Sequence, residues 1–188
     1  DVLVRLEKVT PNHGKGYAVR QGFFASSGDY VLMVDGDNAT KISDVTKLFK
    51  ALRSKKRHRG SPPVIAAGSR AHLETDSIAT RTLGRTLLMK AFHLVVNVAY
   101  AVGTMGSLCA VKDTQCGFKL FDRRVTECIF ANCRLERWAF DVEVFILAKY
   151  LRLATAEVPV QWEEIPGSKM RVRGMVEMGL ECLLMCFT

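Results

Sequence analysis

The sequence predicts an α/β fold with a mostly parallel sheet flanked by helices. Two observations support this prediction. The first seventy residues alternate between short apolar runs and amphipathic stretches, an order that builds parallel strands with covering helices. The apolar runs at 30–34 and 64–68 are nearly continuous, which is typical of strands buried on both faces.

The remaining elements follow from hydrophobic periodicity and from turn signals. The turn at 114–119 leads to a further short strand, and Pro159 is expected to end the last strand or to place it at a sheet edge. We predict strands at 2–6, 30–34, 64–68 and 155–162, and helices at 17–26, 43–53, 81–102, 122–131, 140–151 and 171–187.

Length and composition indicate one domain spanning residues 1–188. Hydrophobic residues make up 48% of the chain, enough for a core, and the net charge of +8 favours an anionic partner such as a nucleotide diphosphate, a lipid phosphate, nucleic acid or a membrane surface. The six cysteines form no C-x-x-C pair, which predicts reduced, buried thiols in a cytosol-facing domain. The chain opens without a methionine, and we expect it to be N-terminally truncated.

Asp35 and Asp37 are the first candidate site residues. They follow the predicted strand 30–34, and ligands bind at the carboxyl ends of strands in open α/β sheets. Two carboxylates at i and i+2 on an extended chain point the same way and repel each other, so a divalent cation would stabilise them. An acidic turn after a strand is the simpler alternative.

The glycine-rich turn at 14–16 is the second candidate. Gly14 and Gly16 flank Lys15 just before a predicted helix, where backbone N–H groups and a lysine suit phosphate or a nucleotide edge. The spacing is not that of a Walker loop, and a strand-to-helix turn that needs glycine explains the pattern equally simply.

These features occur together in one known family. The segments 12–20 (NHGKGYAVR), 35–41 (DGDNATK) and 68–70 (GSR) resemble the inverting GT-A glycosyltransferases that act on polyprenyl phosphates. The segments 113–121 (DTQCGFKLF), 137–143 (RWAFDVE) and 160–169 (VQWEEIPGSK) resemble the branch that transfers glucose to dolichyl phosphate.

The resemblance implies a GT-A, Rossmann-like fold from which the N-terminal strand is missing. It also implies UDP-glucose as donor, dolichyl phosphate as acceptor and a divalent metal, Mg²⁺ or Mn²⁺, as cofactor. The product would be dolichyl β-D-glucosyl phosphate for N-glycan precursor assembly, made at the endoplasmic reticulum membrane by an active site facing the cytosol. The family pattern Asp-Ala-Asp-Gly-Ala reads Asp-Gly-Asp-Asn-Ala at 35–39, and both carboxylates are retained.

These arguments assign a role to each candidate residue. Asp35 and Asp37 would hold the metal, and Asp113 and Gln115 would contact the sugar or place the acceptor. The predicted catalytic residues are Asp37, Asp113 and Gln115. The residues predicted to bind the donor or the lipid phosphate are Lys15, Asp35, Asp37, Arg70, Arg81, Arg85 and Lys169. The helix 81–102 is basic first and apolar afterwards, so it would either lie at the membrane interface or pack in the core.

Two rival interpretations remain at this point. A dolichyl-phosphate mannose synthase would use GDP-mannose on the same fold. A non-catalytic domain that binds nucleotides or nucleic acid would also suit the charge. We expect no nucleic-acid partner, because the basic residues do not form one stripe interleaved with aromatic side chains.

Overall fold

The computed structural model describes residues 3–54, 64–73, 94–107, 109, 111–163 and 172–184. Four strands and six helices are labelled here in chain order. The helices are α1 (Lys15–Ala25), α2 (Val45–Leu52), α3 (94–103), α4 (Arg123–Asn132), α5 (Phe140–Tyr150) and α6 (Val172–Leu184). The strands are β1 (Tyr30–Val34), β2 (Ile65–Ser69), β3 (Phe118–Asp122) and β4 (Thr155–Pro159). A short 3₁₀ turn, Ile42–Asp44, precedes α2.

The strands form one mixed sheet in the order β1-β3-β2-β4. β3 runs antiparallel to both β1 and β2, whereas β2 and β4 are parallel. β1, β2 and β4 therefore point the same way. This confirms the predicted α/β fold and the predicted shared direction of β1 and β2. These two strands are not neighbours, however, because β3 comes from much later in the chain and lies between them.

Helices cover both faces of the sheet, and each face has its own apolar cluster. Leu120 of β3 and Ala66 of β2 pack with Leu48 of α2 on one face. Phe121 and Ile65 lie on the other face, against the remaining helices. Since successive residues of a strand point to opposite faces, β2 and β3 are buried on both sides.

Two predictions about the first strands are wrong. The described part of the predicted strand 2–6 is irregular and exposed, with Leu3 90% and Leu6 89% accessible. β1 was expected to be buried on both faces, yet only its Met33 is buried. β1 is partly exposed because it pairs with β3 on one side and is the edge of the described sheet on the other, and residues 3–6 pair with no strand of that sheet.

Most other predicted elements are confirmed. β4 ends at Pro159 and lies at the opposite edge of the sheet, as a proline without an N–H requires. The helix predicted at 81–102 is described only from residue 94, and its earlier part lies outside the described residues. Each of the described helices is too short or too polar to cross a bilayer.

The cysteines follow the prediction with one correction. Among the five described cysteines, Cys116, Cys133 and Cys182 are buried as expected. Cys128 is exposed, because it lies on the outer side of α4.

Candidate active site

The candidate site lies at one end of the strands, where four segments of the chain meet. The carboxyl ends of β1, β2 and β4 reach this edge, and β3 begins there because it runs the opposite way. Backbone hydrogen bonds join the segments: Lys41 N donates to Gln161 O (3.1 Å), Glu163 N to Ala39 O (2.9 Å) and Val160 N to Ser69 O (3.2 Å). The acidic segment after β1 is therefore fixed to the segment after β4.

Asp35 is the better-anchored of the two carboxylates. Its backbone N–H donates to Gly117 O at 3.0 Å. Its carboxylate packs directly over Gly117, where a Cβ atom would lie 1.9 Å from Asp35 Oδ2. Asp35 Oδ1 is 2.7 Å from Lys15 Nζ, and the side chains are 41% and 20% exposed, respectively. Asp35 is thus a half-buried, paired carboxylate.

Asp37 differs from Asp35 in exposure and in partners. Its side chain is exposed, and Oδ1 accepts a hydrogen bond from Ala39 N at 3.0 Å. Asn38 between them has φ +61°, a left-handed conformation that asparagine tolerates. Among the described residues none is bonded to the second oxygen of Asp37. Asp37 therefore presents an accessible carboxylate oxygen at the sheet edge.

The glycine-lysine turn is held by packing through its backbone. Gly16 N donates to Arg137 O (3.0 Å) and Tyr17 N to Glu136 O (2.9 Å), so these two N–H groups bind protein carbonyls. A Cβ on Gly16 would lie 2.6 Å from Leu135 O, which explains the glycine. The alternative of a turn that needs glycine thus accounts for the backbone. The Lys15 side chain, directed to Asp35, is the part of this turn that belongs to the site.

Arg70 and Asp113 form a two-pronged ion pair beside the acidic segment. Arg70 Nε and Nη2 donate to the two Asp113 oxygens, each at 2.8 Å, and Arg70 N adds a third bond at 2.9 Å. The Arg70 guanidinium also lies over the Trp162 ring, 5.3 Å from its centroid. Burial alone would raise the pKa of Asp113, but the hydrogen bonds and charge of Arg70 outweigh it and hold that pKa below its ordinary value.

Glu157 of β4 also contacts the turn that carries Asp113, and the sequence analysis did not identify it as a site residue. Its two carboxylate oxygens accept the N–H groups of Lys112 and Asp113, each at 3.1 Å. A glutamate within a strand is the only signal that could have indicated it. The turn that carries Asp113 is therefore anchored from β4 as well as from Arg70.

Gln115 lies in the same turn with an unused donor. Its Nε2 atom is buried and has no hydrogen-bond partner within the described part of the chain. An unpaired buried donor costs free energy, so such a group is best explained by a ligand or water that pairs with it. The role predicted for Gln115 stays a prediction.

A buried ion pair beneath the site was not foreseen from the sequence. Lys119 Nζ is 2.5 Å from Asp141 Oδ1, and the two side chains are 1% and 2% exposed. Asp141 is buried in the first turn of α5. Burial raises the pKa of Asp141, while the charges of Lys119 and Lys15 act to lower it. A lysine in the otherwise apolar strand 118–121 was the available signal.

Three predicted phosphate-binding residues, Arg81, Arg85 and Lys169, lie outside the described residues. The described candidates, by contrast, meet at one edge. No group of three or more histidine, cysteine, aspartate or glutamate side chains forms a metal cage within the described ranges. The donor set of Asp35 and Asp37 nevertheless fits a Mg²⁺-like ion, because such ions keep several waters and are bound by one or two carboxylates with substrate phosphates.

This arrangement defines an α/β domain whose strand edge suits a hard cation and phosphate-bearing ligands. The family model for Glycosyl transferase family 2 matches residues 3–96. The chain belongs to that family.

Within this family, the chain is similar to curated proteins of one name. The chain is 46% identical over 167 residues to the dolichyl-phosphate beta-glucosyltransferase of Homo sapiens, with 89% of this chain and 49% of the relative covered. The protein of the same name from Drosophila melanogaster is 45% identical over 170 residues, with 89% and 49% covered. That from Saccharomyces cerevisiae is 42% identical over 171 residues, with 88% and 49% covered. The chain spans about half the length of these relatives.

Proposed function

We propose that this chain carries the active site of an enzyme that transfers glucose from UDP-glucose to dolichyl phosphate with inversion. The product is dolichyl β-D-glucosyl phosphate. The observation that carries the proposal is the meeting of the 35–37 acidic segment with the 113–117 turn at the carboxyl edge of the sheet. The names of relatives that are 42–46% identical to this chain supply the choice of sugar and acceptor.

Asp37 and Asp35 are the residues that would hold a divalent ion, Mg²⁺ or Mn²⁺, together with the donor diphosphate. When bound, such an ion offsets the charge that develops on the leaving diphosphate. Lys15 has two possible partners in this scheme, since its ammonium can stay with Asp35 or move to a phosphate oxygen. Its position over the Trp138 ring, 5.6 Å from the centroid, restricts it to this corner of the site.

The acceptor chemistry agrees with the state of Asp113. The nucleophile would be a phosphate oxygen of the lipid, which is already anionic at pH 7 and needs positioning more than deprotonation. Asp113 has a lowered pKa and both of its oxygens are bonded to Arg70, so it is a weak proton acceptor. Asp113 and Arg70 would therefore shape the acceptor side of the site, and the Gln115 amide would donate to the sugar or a phosphate.

A membrane surface is the proposed partner, as the lipid acceptor requires. Helix α3 exposes Leu94, Val98 and Val102 at intervals of four residues, followed by Met105, which is 89% exposed. Residues at this spacing share one face of a helix, so they form an apolar stripe. The net charge of +8 favours the anionic lipids of a cytosolic leaflet, and we place the enzyme at the endoplasmic reticulum membrane with its site facing the cytosol.

Arg81 and Arg85 would add lipid-phosphate contacts, and Lys169 a donor-phosphate contact.

The direct test is glucosyl transfer to a short polyprenyl phosphate by the protein that carries this chain, with and without Mg²⁺ or Mn²⁺. We expect product with UDP-glucose, dependence on the metal, and loss of turnover in Asp37→Ala. Undiminished turnover in Asp37→Ala would refute the metal assignment. A preference for GDP-mannose in a competition assay would replace the glucosyl proposal by the mannosyl one, and tight nucleic-acid binding insensitive to UDP would contradict both.

A further inference from the structure

The ion pair between Lys119 and Asp141 is isolated from water directly beneath the candidate site. Lys119 lies on β3 and Asp141 in the first turn of α5, and both side chains are almost completely inaccessible. Burying two charges costs desolvation, and apolar side chains of similar volume stabilise a core as well or better. Stability of the fold is therefore a weak explanation for the pair.

The pair is connected to Asp35 through the turn at 116–117. Lys119 Nζ donates a second hydrogen bond to Cys116 O at 2.7 Å. The next residue, Gly117, accepts the backbone N–H of Asp35 and lies in contact with its carboxylate. Lys119 thus holds the turn against which the Asp35 carboxylate packs.

A second connection runs through charge. Asp141 lies close enough to Lys15 and Asp35 for both charges to act on it. Lys15 and Lys119 carry two positive charges, and Asp35 and Asp141 carry two negative charges, so the group of four is balanced. Removing one ion pair as a unit keeps the net charge of this group at zero.

We propose that Lys119 and Asp141 are positioning residues that fix the 116–117 turn, and with it the Asp35 carboxylate, in the geometry that binds the cation of the sugar-diphosphate site. This inference rests on the proposed function. It assigns a role at the site to two residues whose side chains are almost completely buried.

The test replaces the pair as a unit and measures cation binding without turnover. In Lys119→Met/Asp141→Leu, both charges are exchanged for apolar groups of similar size. We expect Mn²⁺ binding in the presence of UDP, followed by electron paramagnetic resonance, to weaken by about 10- to 100-fold, as for other residues that orient metal ligands. The melting temperature should be close to that of the unchanged protein.

The matched control is Asp122→Asn/Arg124→Met, which removes an ion pair at the other end of β3. Asparagine keeps an acceptor at the start of α4, so this variant should fold and bind Mn²⁺ normally. Asp141→Asn is the second test variant, since it keeps the size of the side chain and an acceptor for Lys119. It should also weaken Mn²⁺ binding, by a smaller factor.

The outcomes separate the two proposals. Unchanged Mn²⁺ affinity in a folded double variant overturns the positioning role and leaves the proposed function standing. If the double variant does not fold, unchanged affinity in Asp141→Asn has the same meaning. Failure of the unaltered protein to bind Mn²⁺ with UDP overturns the metal site itself, and the positioning role with it.

Discussion

The Lys15 ammonium lies 2.7 Å from Asp35 Oδ1, so two residues from separate sequence motifs form one ion pair at the strand edge. The pairing makes the two carboxylates unequal. Asp35 already has a cation beside it, whereas Asp37 is exposed and bonded only through Oδ1 to Ala39 N within the described structure. A divalent ion would therefore compete with Lys15 for the Asp35 carboxylate, whereas Asp37 offers it an accessible oxygen.

Lys15→Met should tighten Mn²⁺ binding in the absence of nucleotide sugar. Unit charges at this separation interact by about 1.5 kcal/mol in a water-like medium, and screening by salt reduces this energy, so we expect roughly a three- to tenfold lower Kd. The KM for UDP-glucose should rise, because the same lysine is available to the diphosphate. A titration with Mn²⁺ checks the first effect. Lys15→Arg keeps the charge and serves as control; equal Mn²⁺ affinity in Lys15→Met and the unaltered protein would contradict competition.

The Arg70–Asp113 pair predicts a pH-dependent loss of stability in Arg70→Met. The pKa of Asp113 is held below its ordinary value of 3.8, so the pairing stabilises the fold fully above about pH 4 and is lost as pH falls through the lowered pKa. In Arg70→Met the carboxylate is buried without its cation, which should cost about 2–3 kcal/mol at pH 7.5 after allowing for the partial exposure of Arg70. The deficit should shrink below pH 4, where Asp113 is protonated in the variant.

Urea unfolding at pH 7.5 and at pH 3.5 measures this difference. Arg53→Met is the matched control, because Arg53 is an exposed arginine that also lies over an aromatic ring, that of Phe49. Its effect should be small at both pH values. An Arg70→Met deficit that is the same at both pH values would show that packing on Trp162, rather than the ion pair, accounts for the loss.

Local patterns were sufficient for most elements, and they placed the candidate residues Asp35 and Asp37 directly after a strand, as the structure has them. The apolar run before Asp35 predicts a strand, and a strand end in an α/β sheet predicts a ligand edge. The pairing of strands that are distant in the sequence could not be predicted from such local patterns. The sequence around Tyr30 reads as a central strand, yet β1 is an edge of the described sheet. The turn predicted at 114–119 includes Lys119, but Lys119 lies on β3, between two strands and under helices on both faces, and is buried.

The contacts of Gly16 predict that alanine there destabilises the protein. An added Cβ would meet Leu135 O at 2.6 Å and Phe140 Cβ at 2.8 Å, and neither can move easily because Phe140 is buried. Overpacking of this kind costs about 1–3 kcal/mol. Gly22 is the matched control in the same helix: nothing lies within 4 Å of its added Cβ, so Gly22→Ala should stabilise by about 0.5–1 kcal/mol. Thermal unfolding of the two variants checks the opposite signs; destabilisation of similar size in both would contradict the packing argument.

Gln115→Leu should separate stability from activity. The Gln115 Nε2 donor is buried without a partner in the described structure, so replacing the amide by an apolar group of similar size should leave the melting temperature unchanged or raise it. If this donor pairs with the sugar or a phosphate, kcat/KM should fall by about 10- to 100-fold, the loss of one hydrogen bond to a polar or charged ligand. Gln161→Leu is the control, since Gln161 is exposed and is held in place through its backbone N–H and carbonyl. A stable Gln115→Leu variant with normal turnover would exclude Gln115 from the site, whereas a destabilised one would show that the amide serves the folded chain.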